Sequence, residues 1–298
     1  MKELKKWMIG LDFTDHDSHL INYTKDLAKA FDPVEIVFVH IMKRNEIPVK
    51  FRKTEGPTRE DLLIQMEKKV FSAFDEGKNI RCEVHEGTPY FDLWRETHLH
   101  HTDLFIVGEK DKQRGRNIVP EKFIKKSFCS VLYVPEVTTP LQTLWVPIDF
   151  SEGSKDALHA ALQLAKSSTH TRVICHHIFE PPSLDIIEKD LQEEYLNYFR
   201  SIAEHKMNEF LVGIDEKEWI DTHFTPWMYA EIADHIIEEA EENGADLMVM
   251  SAGGKSRFSS IFLGSTTSEI IRLEKRIPLL ILKKRIDKVK AWDILSNL

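Results

Sequence analysis

Along the chain, short apolar runs rich in Val, Ile and Leu alternate with stretches whose apolar residues return every three or four positions. The first kind fits strands buried on both faces, and the second fits amphipathic helices. In the second half the pattern predicts strands from Leu144 to Ile148, Val173 to Ile178, Trp219 to Phe224, Leu247 to Met250 and Leu279 to Leu282. Ser151 precedes a helix that carries Ala157, Ala161, Leu164 and Ala165 on one face, and Pro226 is expected to open another with Ile232, Ile236 and Ala240. Leu184 to Leu211 reads as a long charged helix with Leu191, Tyr195, Tyr198, Phe199 and Ile202 as its apolar stripe. Strand and helix in alternation predict a parallel sheet with helices on both faces.

The pattern is written twice. "WMIGLDFTDHDSHLINYTKDLAKAF" from Trp7 aligns with "LWVPIDFSEGSKDALHAALQLAKSS" from Leu144, which sets Asp12 over Asp149. "VEIVFVHIM" aligns with "TRVICHHIF", "TDLFIVGEKD" with "ADLMVMSAGG", and "SVLYVPE" with "PLLILKK". A Thr/Pro-rich linker, Glu136 to Gln142, separates the copies. The expected organisation is a domain over 1–137, a second over 142–285 and a tail over 286–298. Each domain is expected to be a doubly wound α/β unit with a five-stranded parallel sheet.

Composition narrows the classes. Forty Lys and Arg against forty-nine Asp and Glu give a net charge of -9, which argues against a general nucleic-acid binder. Three scattered cysteines, Cys82, Cys129 and Cys175, suit buried thiols in a reducing compartment better than a disulfide framework or zinc site. The N-terminal apolar run breaks at Asp12, too early for a signal-peptide core, and no window reaches the length of a membrane span. A cytoplasmic protein is the expectation.

The candidate chemistry lies in "VMSAGGKSRFSSIFLGSTTSEIIRLEKRIPLLIL", Val249 to Leu282. Gly254-Lys255-Ser256 echoes a P-loop, but the glycine required five positions earlier is Val249, so the match fails. In a doubly wound sheet, ligands bind beyond the carboxyl ends of the strands where strand order reverses. If the first and fourth strands flank that point, Asp149 and the loop from Ser251 share one mouth. Gly264-Ser265 precedes a helix with Thr266, Thr267 and Ser268 in its first turn, a natural anion site. Asp149 suits ribose hydroxyls or an adenine amine. Plain alternatives stand beside these: Thr266-x-x-Glu269 as a capping box, Lys255 and Arg257 as solvated charges, Asp149 and Asp12 as turn formers.

Together these residues resemble a tandem universal stress protein, a family of adenine nucleotide alpha hydrolase-like domains. Its ATP-binding members carry Gly-x2-Gly-x9-Gly-Ser/Thr after the fourth strand and an Asp after the first. Here the motif reads Ser251-x2-Gly254-x9-Gly264-Ser265, and "WVPIDFS" supplies Pro147 and Asp149. "HEGTPYFDLWRETHLHHTDLFIVGEKD" from His85 is also similar to the family. The resemblance implies a nucleotide site of Pro147, Asp149, Met250, Ser251, Gly254, Gly264, Ser265, Thr266 and Thr267, with His177 near the adenine, binding ATP with Mg²⁺. It implies a stress-response sensor or regulator with at most slow ATP hydrolysis; the alternatives are a scaffold that binds no nucleotide, and an enzyme.

Two departures stand out. Ser251 replaces the first motif glycine, and a serine meets a cost at strongly positive φ. In the first half Asp12 and Gly108 remain, but Asp111 and Glu121-Lys122 occupy the later motif positions, so carboxylates would oppose a triphosphate. That half is expected not to bind ATP.

In the family, domains pair through their fifth strands, which implies that "VLYVP" and "LLILK" pair within this chain; a homodimer and an unknown regulatory protein partner remain open. His98, His100 and His101 sit at an expected helix end with no evident carboxylate or cysteine ligand, and no metal site is assigned. Alternation on the second strand should bury one of His176 and His177 and expose the other. The tail "KKRIDKVKAWDILSNL" reads as a solvated segment packing back on the sheet, with a partner or membrane-surface contact as the alternative.

Overall fold

A computed structural model describes residues 4–43, 56–74, 77–108, 123–124, 126–167, 170–182, 186–227, 231–253, 263–273 and 276–283. The chain divides into two compact units, one up to Glu136 and one over Val137–Lys283. In the first, β1 (Lys6–Gly10), β2 (Glu35–Lys43), β3 (Ile80–Gly87), β4 (Leu104–Gly108) and β5 (Ser130–Val134) alternate with α1 (His16–Phe31), α2 (Arg59–Ala73) and α3 (Pro89–Leu99). The strands run in the order β3-β2-β1-β4-β5, with parallel pairings throughout.

The second unit repeats the plan. Strands β6 (Thr143–Pro147), β7 (Arg172–Phe179), β8 (Ile220–Pro226), β9 (Leu247–Ser251) and β10 (Leu279–Leu282) interleave with α4 (Glu152–Ala165), α5 (Gln192–Phe210), α6 (Ile232–Glu242) and α7 (Ser265–Leu273). Their order is β8-β7-β6-β9-β10, again parallel. The central strands are apolar at consecutive positions because helices cover both faces: Leu144, Trp145 and Val146 are all fully buried, as are Leu247, Met248 and Val249. Each such side chain stabilises the fold by about 1.5–3 kcal/mol over its exposed state. Both units have the doubly wound α/β fold.

Several local devices recur at matching positions. Ahead of the fourth strand of the first unit, the Asp103 carboxylate accepts the Lys5 and Lys6 N–H groups, and its own N–H donates to the Lys6 carbonyl. In the second unit Asp246 accepts the Gln142 and Thr143 N–H groups at 3.0 and 2.9 Å and donates to the Thr143 carbonyl. Each aspartate thereby fixes the start of its first strand. Beyond that strand, Phe13 and Phe150 both adopt φ of 61°, a left-handed conformation unusual for an aromatic residue. Each ring packs on a histidine of the second strand, His40 or His177, with centroids 4.6 and 4.3 Å apart. Those histidines use Nδ1 to bond the carbonyls of Leu11 and Ile148.

Two expectations need correction. Pro226 closes β8 opposite Phe179 rather than opening a helix; β8 is the last strand on its side of this unit, where a proline is tolerated. Helix α6 begins later, after Glu231. The long helix begins at Gln192 rather than Leu184, and its expected stripe is only partly covered: Tyr195, Phe199 and Ile202 are half-buried beside the buried Ala203 and Met207, whereas Leu191, just before the helix, and Tyr198 are exposed. Among the described residues no helix is long and apolar enough to cross a membrane. The tail lies outside the described residues.

Candidate functional site

In each unit the first strand lies between the second and the fourth, so a crevice opens beyond the carboxyl ends of the first and fourth strands. Pro147 shapes that crevice in the second unit. The Ile148 N–H points to β7, donating to the His176 carbonyl, so the backbone nitrogen of residue 147 faces β9. Proline has no hydrogen there, and the β6–β9 register ends at Trp145 opposite Met248. In the first unit Gly10 stands at the matching position, and β1 pairs with β4 as far as Gly10 opposite Val107.

A cavity of about 440 Å³ occupies the second crevice. Pro147, Asp149, His177, Met250, Ser251, Gly264, Ser265, Thr266 and Thr267 all line it. Gly254, Lys255, Ser256 and Arg257 lie outside the described residues. The fold adds residues that motif spacing does not reveal: Ile178, Trp227, Ile232 and Ile236 give an apolar wall, and Ser151 and Ser154 a polar floor. Trp227 is held by its N–H to the Phe179 carbonyl just past β8. No motif spacing marks it; its place in the wall depends on where β7 and β8 end.

The end of β9 and the start of α7 are tied together by hydrogen bonds. The Gly264 N–H donates to the Ala252 carbonyl at 2.7 Å, and the Thr267 hydroxyl donates to the Ser251 carbonyl at 3.1 Å. Helix α7 is thus anchored by its first turn to the end of β9. Its first intrahelical bond runs from the Ser268 N–H to the Gly264 carbonyl, so the N–H groups of Ser265, Thr266 and Thr267 precede the ladder. Since α7 begins at Ser265, Thr266 lies within the first turn and is not an N-cap.

Ser251 does not carry the expected backbone cost. The described non-glycine residues with positive φ are Phe13, Asp32, His101 and Phe150. The serine is accommodated by a glycine elsewhere: a Cβ on Gly153, in the first turn of α4, would lie 2.6 Å from Ser251 Oγ and 2.7 Å from the Gly253 carbonyl. The first unit inverts the pair. A Cβ on Gly108 would lie 2.4–2.5 Å from the imidazole of His16, which stands where Gly153 stands in the other copy. Asp149 accepts the Ser151 N–H at 3.0 Å, and Ser151 caps α4 by accepting the Ser154 N–H.

The first unit holds the larger cavity, about 750 Å³, but its mouth has different chemistry. Asp12 and Asp17 both line it beside His16. Asp17 is buried and accepts the N–H groups of Asp12 and Phe13 at 3.1 and 2.9 Å. Burial is the main cause that raises its carboxyl to about 6, and the charge of Asp12 adds to it. The two crevices thus differ in chemistry as well as in size. Asp111, Glu121 and Lys122 lie outside the described residues.

Strand alternation separates the histidine pair as expected. His176 is buried against Trp145 and bonds the Thr225 hydroxyl, whereas His177 reaches the cavity. Burial pushes the His176 imidazole down to about 3, with His223, His235 and His177 lowering it further. Burial also pushes the Cys82 and Cys175 thiols up to about 12, which leaves neither an available nucleophile.

Residues 140–283 match the model of the universal stress protein family. No curated protein matches the chain. Among solved structures, a universal stress protein from Archaeoglobus fulgidus DSM 4304 is 17% identical with a TM-score of 0.60, over 95% of this chain and 99% of that one. A functionally unknown protein from Pseudomonas aeruginosa PAO1 is 13% identical with a TM-score of 0.65, over 99% and 98% of the two chains. At these identities the likeness of the first half is one of fold. The match to the universal stress protein family is thus one of residues 140–283, and over the full chain the likeness to these solved structures is one of fold.

Proposed function

We propose that the second unit binds ATP, accompanied by Mg²⁺, and that the protein uses this occupancy as a stress-response sensor or regulator rather than as a catalyst. The observation that carries the reading is the convergence of Asp149, Ser251 and the Gly264–Thr267 helix start on one cavity with an apolar wall. Adenine fits between Ile178, Trp227 and Met250, and Asp149 accepts hydrogen bonds from the ribose. The phosphates meet the first-turn N–H groups of α7, where the helix dipole favours negative charge. Magnesium would enter on the phosphates and neutralise part of their charge. On this reading the first unit does not take this role: His16 stands over Gly108 and two carboxylates share the mouth, an arrangement that disfavours a triphosphate.

Isothermal titration with ATP and Mg²⁺ tests the reading, with Gly264→Glu as the paired variant. The expected result is one site per chain, lost in the folded variant. An absence of saturable binding at millimolar ATP would remove the nucleotide reading and leave an interaction scaffold.

A further inference from the structure

The first unit contains a cluster that the nucleotide chemistry does not use. Glu83 and His85 are two apart on β3 and so project from the same face. Glu96 and His100 are four apart at the end of α3, one turn above each other. The strand and helix bring the two pairs together. Glu83 Oε2 lies 3.0 Å from His85 Nε2 and 3.2 Å from His100 Nε2, and His100 Nε2 lies 3.8 Å from Glu96 Oε2. Ligand atoms of Glu83, His85 and Glu96 all fall within 4.8 Å of one another. Thus His100 of the histidine triplet meets two carboxylates, Glu96 from one turn earlier on its own helix and Glu83, which the fold brings from β3.

These spacings suit a small cation. Zinc–nitrogen and zinc–oxygen bonds of about 2.0–2.1 Å set neighbouring ligands of a tetrahedron about 3.3 Å apart. The contacts of Glu83 with both histidines and of Glu96 with His100 bracket that edge; His100 lies outside the group of Glu83, His85 and Glu96 that falls within 4.8 Å, so its ring must turn towards His85 to complete a tetrahedron. Glu96 is 4% exposed, and its other oxygen is engaged by Arg95 at 2.9 Å, which fixes the carboxylate with Oε2 towards His100. Such an outer contact orients a metal ligand and offsets part of the cluster's negative charge. Two imidazoles with two carboxylates favour zinc over the oxygen-seeking Ca²⁺ and Mg²⁺.

We propose that Glu83, His85, Glu96 and His100 form a zinc site in the first unit, separate from the nucleotide crevice. His98 is not a ligand; its ring lies parallel to Trp94, with centroids 6.4 Å apart.

Zn²⁺ titration of the chelator-treated full-length chain, with Co²⁺ absorption as a probe of geometry, decides the matter. The expected result is one zinc per chain and the intense visible bands of tetrahedral Co²⁺. Glu96→Gln, which keeps the side-chain shape, and the His85→Ala/His100→Ala double variant should each weaken zinc at least tenfold, whereas His98→Ala should not. Thermal melting identifies any variant that fails to fold, and Glu96→Gln then serves as the deciding one. No saturable zinc binding, or binding unchanged in folded Glu96→Gln, would overturn the proposal. An octahedral Co²⁺ spectrum would equally overturn the four-ligand site. Either failure leaves the ATP reading untouched.

Discussion

At the mouth of the first unit an imidazole fills the space above a glycine; at the mouth of the second a glycine on the helix makes room for a serine on the strand. His16 with Gly108 and Gly153 with Ser251 are the same two positions with bulk and space exchanged. The surrounding frame is unchanged, including the left-handed Phe13 and Phe150 and the histidines beneath them. Asp17, buried among backbone donors in the first unit, is matched by Ser154 in the second. Two copies of one fold thus keep the devices that hold the strand ends and differ in the groups that a bound phosphate would meet. Function in this architecture is decided by a few side chains on a preserved frame.

The largest expected effect comes from transferring that difference. Gly153→His puts a side chain where a Cβ alone would lie 2.6 Å from Ser251 Oγ and 2.7 Å from the Gly253 carbonyl, so β9 or α4 must shift. ATP affinity is expected to fall at least a hundredfold, with a stability loss of about 1–3 kcal/mol from overpacking. Titration calorimetry and thermal melting read the two separately. Retained affinity would show that the exchanged pair does not govern the crevice.

The next effect is in pH, and it has opposite signs in the two units. His176 titrates near 3 when folded and near 6.5 when unfolded, so below pH 6.5 the unfolded chain takes up the proton first. The second unit should lose stability as pH falls from about 6.5 towards 3, by a few kcal/mol in total. Asp17 titrates near 6 when folded against 3.8 for a free carboxyl, so the folded chain holds the proton more tightly. Its contribution is present below pH 3.8 and lost as pH rises through 6. Hydrogen exchange at pH 4.5 and 7.5 should therefore show the protection of the second unit decreasing in acid relative to the first. His176→Gln should remove much of that difference; an unchanged profile would assign it to other groups.

The smallest effect should be alike in both copies. Phe13→Gly and Phe150→Gly each relieve about 1–2 kcal/mol of left-handed strain and forfeit aromatic packing worth about 0.5–1.5 kcal/mol beyond burial. Denaturant melts of the two variants should shift by less than about 2 kcal/mol and agree with each other. A large disagreement would mean that the matching backbones serve different purposes.

The central strands were legible because a strand covered on both faces must be apolar at every position, as Leu144–Val146 and Leu247–Val249 are. Pro226 was misread because proline suits both the first turn of a helix and the end of an edge strand, and only the pairing with Phe179 distinguishes them. The stripe on α5 is covered only in part, because periodicity reports an apolar face without saying how much of it another element covers: Tyr198 stays exposed beside half-buried Tyr195 and Phe199. Asp149 and Gly264 could be named from spacing, but Trp227 and Ile178 could not, since their part in the wall depends on where β7 and β8 end.

By itself the sequence determined the repeat, the alternation of strand and helix and the residues carrying the candidate nucleotide chemistry, because those depend on local periodicity and short spacing. Only the tertiary structure decided how Ser251 is accommodated, why β6 and β9 part at Pro147 and how Glu83 and His85 meet Glu96 and His100. Each of those depends on atoms brought within a few ångströms by segments distant in sequence, and hydrophobic patterning carries no record of such a contact.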